Sequence, residues 1–329
     1  MHKVTLSNGK TFMSSPESTL LEAAKSNDIV LEHSCRTGRC GVCKARVLGG
    51  ETIMLLHEEG LQEEEKNNGY ILTCCRGALS DVKLDIEDVG RFADIKSKVL
   101  PTRIDEITLL TPDIMRVILR LPPNTEFKYL AGQYIDVIGK GGVRRSYSVA
   151  NAQCHDSRIE LQIRKIDGGT MSRYWFGEAK NNDLLRIEGP LGTFSNRLVH
   201  VENMIFLATG TGIAPVKAML EEMTENHKVI CSQSIYLYWG GRKEADIYWE
   251  PALSIPNLNF IPVLSQPGSD WYGRTGYVQH VLLEDRLDLG NSVVYACGSN
   301  EMILNAREML LEQGLKPGKF YSDAFVSSC

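Results

Sequence analysis

The chain has 329 residues, of which 43 % are hydrophobic and 23 % are charged, and its net charge is −5. This composition is typical of a globular protein, and the length indicates two or three domains. A nucleic-acid partner is not expected, because phosphate binding requires a basic surface, and membrane insertion is not expected, because no run reaches the roughly 18 apolar residues of a membrane helix.

The N-terminal residues and the cysteine count indicate a cytoplasmic protein. Residues Met1 to Thr5 lack the long apolar run of a secretory signal. Nine cysteines in a chain without such a signal indicate a reducing compartment. In that setting, clustered cysteines more often hold metal or carry out redox chemistry than form disulfides.

The first zone of the sequence, residues 1–93, contains the clustered cysteines. A helical pattern starts near Pro16, which suits a first helical turn, and it places Leu20, Leu21 and Ala24 on one face. The acidic stretch 58–65 predicts a solvated helix face.

The cysteines of this zone have the spacing of an iron–sulfur site. Cys35, Cys40 and Cys43 form C-x4-C-x2-C, and Cys74 follows, which is the plant-type [2Fe–2S] pattern. Three thiolates from one tight loop can wrap a small anionic cluster, and two glycines within the loop permit the close backbone approach that this requires.

The alternatives are a zinc site or reduced core cysteines. Zinc ribbons usually present two C-x2-C pairs, whereas this loop has one pair, extended upstream. Cys75 adjoins Cys74 and competes with it as the fourth ligand. We assign Cys74, because the segment from Ile71 to Cys74 resembles the ferredoxin pattern in which Leu-x-Cys ends the site.

The second zone, residues 96–198, predicts an antiparallel sheet or small barrel, because apolar and polar residues alternate between Gly, Pro and Asn. One strand carries R-x-Y-S, formed by Arg145, Ser146, Tyr147 and Ser148. Such a strand can offer a flavin dinucleotide a cation for its pyrophosphate, an aromatic ring and a small hydroxyl near the reactive nitrogen N5. Taken alone, the four residues fit a polar edge strand better.

A glycine pair about twenty residues later supports a flavin site. The pair leads into a predicted helix, and a helix N-terminus favours phosphate binding. The predicted FAD contacts also include residues at the end of the preceding strand and at the start of this helix, namely Ile163, Arg164, Gly169, Thr170, Met171 and Ser172.

The third zone, residues 199–329, predicts a parallel α/β sheet, because strand and helix patterns alternate along it. A strand, a glycine turn and a helix place free N–H groups against a pyrophosphate, although a bare G-x-G also fits a tight turn without a ligand. The predicted contacts in this segment are Thr209, Gly210, Thr211, Gly212 and Pro215.

Two later strands end in further predicted nicotinamide contacts. Cys297, Gly298 and Ser299 end one of them. Arg242 follows the other and contacts an adenosine phosphate or only caps the strand, so the choice between NADH and NADPH stays open.

Together these segments resemble the ferredoxin–NADP reductase superfamily. The resemblance implies that Cys297 lies beside the nicotinamide C4, and we predict Ser148 and Cys297 as the catalytic residues. It also implies that Phe325 covers the flavin face. The alternatives are a buried structural thiol at 297 and a docked terminal strand at 320–325.

The order of the cluster, flavin and nicotinamide segments resembles the reductase components of bacterial oxygenases over the whole chain. Six segments carry a closer resemblance, namely 71–75, 129–136, 144–148, 185–190, 295–299 and 322–326. They resemble the CDP-6-deoxy-Δ3,4-glucoseen reductase family. The turn Thr209–Ile213 departs slightly from that family's Gly-Gly-Thr-Gly-Phe, which puts an identical partner in doubt.

That resemblance implies a β-grasp ferredoxin domain (1–93), an antiparallel β-barrel flavin domain (96–198) and a parallel α/β nicotinamide domain (199–329). It implies electron transfer from NADH, through FAD and a [2Fe–2S] cluster, to a pyridoxamine-phosphate-dependent dehydrase of dideoxysugar synthesis. The alternatives are an oxygenase reductase and a non-enzymatic electron carrier or redox sensor. The intact nicotinamide motifs argue against the last.

Overall fold

The computed structural model describes residues 1–153, 157–197, 199–225, 233–251, 255 and 257–325. They form two compact units: Met1–Lys96 with Gly192–Phe194, and Ser97–Leu191 with Ser195–Cys329. Two predictions involve residues outside the described ones, namely the domain limit at Leu198 and the last residue of the C-terminal motif, Val326. The domain limits stay predictions.

The first unit is built around a mixed sheet with strand order β2-β1-β7-β3-β5, and β4 pairs separately with β6. Strands β1 and β7 are parallel, and the other pairs are antiparallel. This is the predicted β-grasp arrangement. Its elements are β1 (His2–Leu6), β2 (Thr11–Ser14), α1 (Leu20–Ser26), β3 (Lys44–Gly49), β4 (Thr52–Met54), α2 (Glu63–Asn67), β5 (Tyr70–Leu72), β6 (Arg76–Ala78) and β7 (Val82–Asp85).

Helix α1 begins at Leu20 and not at the predicted Pro16. Thr19 is the N-cap: its hydroxyl accepts from the Glu22 amide, and the Glu22 carboxylate accepts from the Thr19 amide. This reciprocal capping box satisfies two amides that the helix leaves open and so fixes where the helix starts. The predicted apolar face is confirmed, since Leu20 and Ala24 are buried in the core of the unit.

The prediction of a solvated helix face over 58–65 is wrong in part. Helix α2 starts only at Glu63, and its residues are not buried. Glu58 is 2 % exposed, accepts from the Leu72 amide at 2.6 Å and pairs with Arg76 at 2.7 Å. A buried carboxylate needs such partners, and here they join the loop before α2 to β5 and β6.

The second unit contains the predicted antiparallel barrel, with strand order β11-β10-β13-β8-β9-β12. A bridge between Val149 and Leu161 joins the end of β11 to β12 and closes the sheet. Its elements are β8 (Lys98–Thr111), β9 (Ile114–Arg120), β10 (Tyr134–Ile138), β11 (Arg144–Ser148), β12 (Arg158–Arg164), α3 (Thr170–Arg173) and β13 (Leu184–Leu191).

The same unit contains the predicted parallel sheet, with strand order β17-β16-β15-β14-β18-β19. Its elements are β14 (Asn203–Thr209), α4 (Ile213–Glu225), β15 (Ser234–Gly241), β16 (Leu258–Leu264), β17 (Arg274–Thr275), α5 (Val278–Glu284), β18 (Ser292–Ser299), α6 (Asn300–Glu312) and β19 (Phe320–Phe325). The chain order reverses between β14 and β18, and ligands of such sheets bind at the carboxyl ends of the strands at this switch point.

Within the described residues, no helix is both long enough and apolar enough to cross a membrane.

Candidate functional site

The cysteine loop lies between α1 and β3 and packs tightly on the segment that precedes α2. Gly38 has φ +79°, and a Cβ there would lie 2.2 Å from the His57 carbonyl oxygen and 2.7 Å from the Cys75 sulfur. The Gly38 carbonyl also accepts from the Gly60 amide at 2.8 Å. Only glycine fits this position, so the close backbone approach that the sequence predicted is present here.

The four predicted ligands are arranged as two pairs of thiols. The Cys43 and Cys74 sulfurs are 3.2 Å apart, and Cys35 is hydrogen-bonded to Cys40. Within the described residues, no three His, Cys, Asp or Glu side chains converge on a single metal-ion position. Two thiolates per iron is the donor set of a [2Fe–2S] cluster, so the pairs fit two irons better than one zinc ion.

Each pair holds one acidic thiol. The hydrogen bond from Cys40 lowers the pKa of Cys35 to about 5, and hydrogen bonds from Cys43 and Cys75 lower the pKa of Cys74 to about 3. Thiolates are the species that bind iron. The Cys75 sulfur lies 3.6 Å from that of Cys74 and 3.6 Å from the His57 carbonyl oxygen, whereas Cys74 makes the shorter approach to Cys43.

In the second unit, the R-x-Y-S motif is strand β11, paired with β10. The Trp175 indole N–H donates to the Tyr147 hydroxyl at 3.0 Å, and the two rings meet edge to face. This contact holds the tyrosine ring in place, and burial raises the pKa of Tyr147 to about 12. Ser146 donates to Asp136 at 2.6 Å, so its hydroxyl is already engaged within the barrel.

The glycine pair leads into α3, with Gly169 as the N-cap. The Ser172 hydroxyl accepts from the Ile166 amide at 2.8 Å and so fastens the turn. Ile163 and Met171 are buried in the barrel core. Their side chains therefore cannot reach a phosphate, and only their main-chain groups remain as candidates for cofactor contact.

The nicotinamide segments meet at the switch point of the parallel sheet. Ala208 of β14 is opposite Cys297 of β18, and the Ser299 amide donates to the Thr209 hydroxyl at 3.3 Å. The turn 210–212 leads directly into α4. The structure thus brings together two motifs that are almost ninety residues apart in the chain.

Asp323 of this parallel sheet is a buried polar residue that faces β11, the strand of the R-x-Y-S motif. Asp323 on β19 pairs in register with Cys297, and the Ser148 hydroxyl lies 3.5 Å from its carboxylate. Cys297 is fully buried, and burial followed by the charge of Asp323 raises its pKa well above the ordinary value. The two predicted catalytic residues therefore share Asp323 as a neighbour.

The other predicted contacts are distributed around this switch point. The Arg164 guanidinium lies beside Gly210, where a Cβ would come within 2.9 Å of it. Arg242 is exposed beyond β15, and Phe325 is 39 % exposed at the end of β19. Pro215 is in the first turn of α4. The terminal strand is docked in the sheet beside β18, as one of the two sequence alternatives stated.

Sequence reasoning missed Asp323 and Lys217. The sequence gives no sign that Asp323 reaches Ser148, because the two residues are 175 positions apart. Lys217 has helical spacing on α4, yet its ammonium group donates to the Ala150 carbonyl at 2.8 Å. Both residues are identified only by the contacts between the barrel and the part of the unit that holds the parallel sheet.

Three family models match the chain. Residues 4–78 match the 2Fe-2S iron-sulfur cluster binding domain, residues 101–196 match the oxidoreductase FAD-binding domain, and residues 206–308 match the oxidoreductase NAD-binding domain. These matches confirm the predicted cofactors and the fold class.

The chain is 43 % identical to the CDP-6-deoxy-L-threo-D-glycero-4-hexulose-3-dehydrase reductase of Yersinia pestis, over 98 % of this chain and 97 % of that protein. It is 32 % identical to the ferredoxin–NAD(P)(+) reductase component of the naphthalene 1,2-dioxygenase/salicylate 5-hydroxylase systems of Ralstonia sp., over 94 % of each. Among solved structures, the Amycolatopsis cytochrome P450 reductase GcoB matches 99 % of each chain with a TM-score of 0.78 at 27 % identity.

Proposed function

Because the chain belongs to the family of the CDP-6-deoxy-L-threo-D-glycero-4-hexulose-3-dehydrase reductases, we propose that it passes electrons from NADH to a dehydrase of this kind. The acceptor is a pyridoxamine-phosphate-dependent enzyme that carries a CDP-hexulose. The product is a 3,6-dideoxysugar destined for a cell-surface polysaccharide.

One observation carries the proposal: a single chain holds two pairs of neighbouring thiols, and its R-x-Y-S strand meets the parallel sheet where Ser148 contacts Asp323. A bound FAD would supply the conversion between the two-electron chemistry of a hydride and the one-electron chemistry of a [2Fe–2S] cluster. The chain thereby combines the parts that an NADH-dependent one-electron donor needs.

The residues of the chain bind and orient these groups. Cys35 and Cys40 would hold one iron, and Cys43 and Cys74 the other. Arg145 on β11 and the start of α3 would bind the flavin pyrophosphate, since a cation and helix amides both favour phosphate.

The switch point would orient the nicotinamide. The turn 210–212 supplies amides for the pyrophosphate of the dinucleotide. Cys297, neutral and fully buried, would support the carboxyl end of β18, where we place the nicotinamide. Ser148 donates to Asp323, which fixes its hydroxyl at the edge of the flavin strand.

An oxygenase is the second candidate acceptor. The relative named as a reductase for dioxygenase systems is 32 % identical, against 43 % for the dehydrase reductase. Sequence similarity over the whole chain therefore favours the dehydrase.

Anaerobic reconstitution with iron, sulfide and FAD tests the proposed function. We expect flavin and cluster absorbance, NADH oxidation with ferricyanide, and NADH oxidation that depends on the dehydrase when its CDP-hexulose substrate is present. Oxidation with ferricyanide but not with the dehydrase would exclude this acceptor. No oxidation with either would favour an electron carrier or sensor.

A further inference from the structure

The first unit carries a continuous run of exposed apolar side chains. Ile53, Met54, Leu55 and Leu56 are 38, 53, 36 and 46 % exposed. Single exposed apolar residues are ordinary on a protein surface, but four in succession are not, and exposed apolar side chains that lie close together mark interaction sites. We call residues 53–56 the apolar run.

The apolar run is hydrogen-bonded to the cysteine site. The amides of Leu55 and Leu56 both donate to the Cys75 carbonyl oxygen, at 2.7 and 3.1 Å. Cys75 is joined by one peptide bond to Cys74, the predicted ligand. His57, the next residue after the run, contributes the carbonyl on which Gly38 of the cysteine loop packs.

Exposed carboxylates flank the run along the chain. Glu51 precedes it, and Glu59, Glu63 and Glu64 follow it, all of them exposed. Arg39 lies 3.4 Å from Glu59, and Lys66 lies 2.6 Å from Glu63. Glu58 and Glu65 are paired as well, with Arg76 and Lys44. Within the described part of the stretch 51–66, the carboxylates without an ion-pair partner are therefore those of the exposed Glu51 and Glu64.

We infer that the apolar run is the docking surface for the electron-accepting protein. This inference rests on the proposed function, because electrons that leave at the cluster require the acceptor to approach the cysteine site. The protein that binds there is the dehydrase, through a part of its own surface that has an apolar centre and a basic rim. Apolar contacts at the centre supply affinity, and the carboxylates steer the encounter and set its orientation.

The double variant Leu55→Ser/Leu56→Ser tests the surface. Both side chains are exposed, and their amides keep the bonds to Cys75, so cluster absorbance and ferricyanide reduction should match those of the wild type. We expect the Kd for the dehydrase, measured by calorimetry, and the KM for the dehydrase to rise by about tenfold or more.

The matched control is Leu109→Ser/Leu184→Ser, which removes two leucines that are 60 and 79 % exposed in the second unit. The control should leave Kd and KM unchanged. Met54→Ser repeats the test at a residue whose amide does not bond Cys75, in case the double variant alters the cysteine loop. High salt should weaken binding to the wild type, because the carboxylates are exposed.

The outcomes separate the two proposals. A wild-type chain that reduces the dehydrase, with apolar-run variants that bind and reduce it equally well, overturns the docking surface alone. A wild-type chain that reduces ferricyanide but not the dehydrase overturns the proposed function, and the docking proposal with it.

Discussion

Cys297, Asp323 and Ser148 are brought together from three strands, and burial decides what each can do. The thiol of Cys297 is fully buried, and its pKa lies well above the ordinary value, first through burial and then through the charge of Asp323. A thiol in that state is neutral at physiological pH and is not a nucleophile. We therefore propose that it shapes the nicotinamide site and does not react.

This state has a chemical consequence. In the native protein, iodoacetamide at pH 8 should leave Cys297 unmodified, because the reactive thiolate is scarce and the sulfur is inaccessible. Mass spectrometry after denaturation should then show full labelling of the same residue. Rapid labelling of Cys297 in the native chain would contradict the buried, neutral thiol.

Ser148→Ala should slow flavin reduction by NADH. We propose that its hydroxyl lies at the reacting flavin nitrogen, and loss of one such hydroxyl costs about 100-fold in rate, while the KM for NADH should stay within a few-fold. Stopped-flow absorbance of the flavin measures the step. Ser269→Ala is the control, because its exposed hydroxyl donates only to the neighbouring Asp270 and lies outside the predicted cofactor contacts, and it should change the rate little.

The choice between Cys74 and Cys75 is testable residue by residue. The Cys74 sulfur lies 3.2 Å from that of Cys43, and its pKa is lowered to about 3 by hydrogen bonds from its neighbours. We expect Cys74→Ser to lose the visible absorbance of the cluster and Cys75→Ser to retain it. The reverse pattern would assign Cys75 as the ligand.

At the scale of elements, the carboxyl ends of β14 and β18 meet at the switch point of the parallel sheet. Gly298 has φ +145°, and a Cβ there would lie 2.0 Å from the Thr209 hydroxyl oxygen. The hydroxyl accepts from the Ser299 amide, and Ser299 in turn caps α6. A side chain at 298 would therefore disturb both strand ends at once.

Gly298→Ala should raise the KM for NADH by at least tenfold and lower the Tm, while the cluster absorbance stays unchanged because Gly298 belongs to the other unit. The backbone conformation is strained for alanine, and the Thr209 side chain must move. Gly318→Ala is the control, since a Cβ there meets nothing within 4 Å. Equal KM values for both variants would contradict the assignment of the nicotinamide site.

At the scale of the second unit, buried charges join the barrel to the parallel sheet. The Lys217 ammonium group lies 3.2 Å from Glu160 on β12 and 2.7 Å from Glu221 on its own helix. Glu221 also accepts from the Ala152 amide at 3.0 Å. The side chains of Lys217 and Glu160 are each only 11 % exposed, so this ion pair is shielded from water.

Lys217→Met should cost about 3 kcal/mol of unfolding free energy, because it leaves two carboxylates without their buried cation. Denaturant titration measures the loss. The control is Lys140→Met, whose exposed pair with Glu178 should contribute less than about 1 kcal/mol. If Lys217→Met also slows flavin reduction by NADH under native conditions, the contact between α4 and the barrel also positions the proposed flavin and nicotinamide sites relative to each other.

The sequence by itself determined the fold class and the three cofactor types, and it predicts the thiol ligands and the nucleotide contacts, because each depends on local spacing. C-x4-C-x2-C, R-x-Y-S and the glycine turn each place their chemistry within one loop or strand, and period-two and alternating patterns indicate the sheet types. Local rules also misled in two places: α1 begins at Leu20 and not at Pro16, and Glu58 is buried against Arg76.

Only the tertiary structure decided which distant residues meet. Strand order brought Thr209 beside Gly298 and set Asp323 against Ser148, and the packing of α4 on the barrel buried Lys217. The same folding left four successive apolar side chains exposed next to Cys75. Burial and the pairing of distant residues depend on the whole folded chain, so local spacing in the sequence does not predict them.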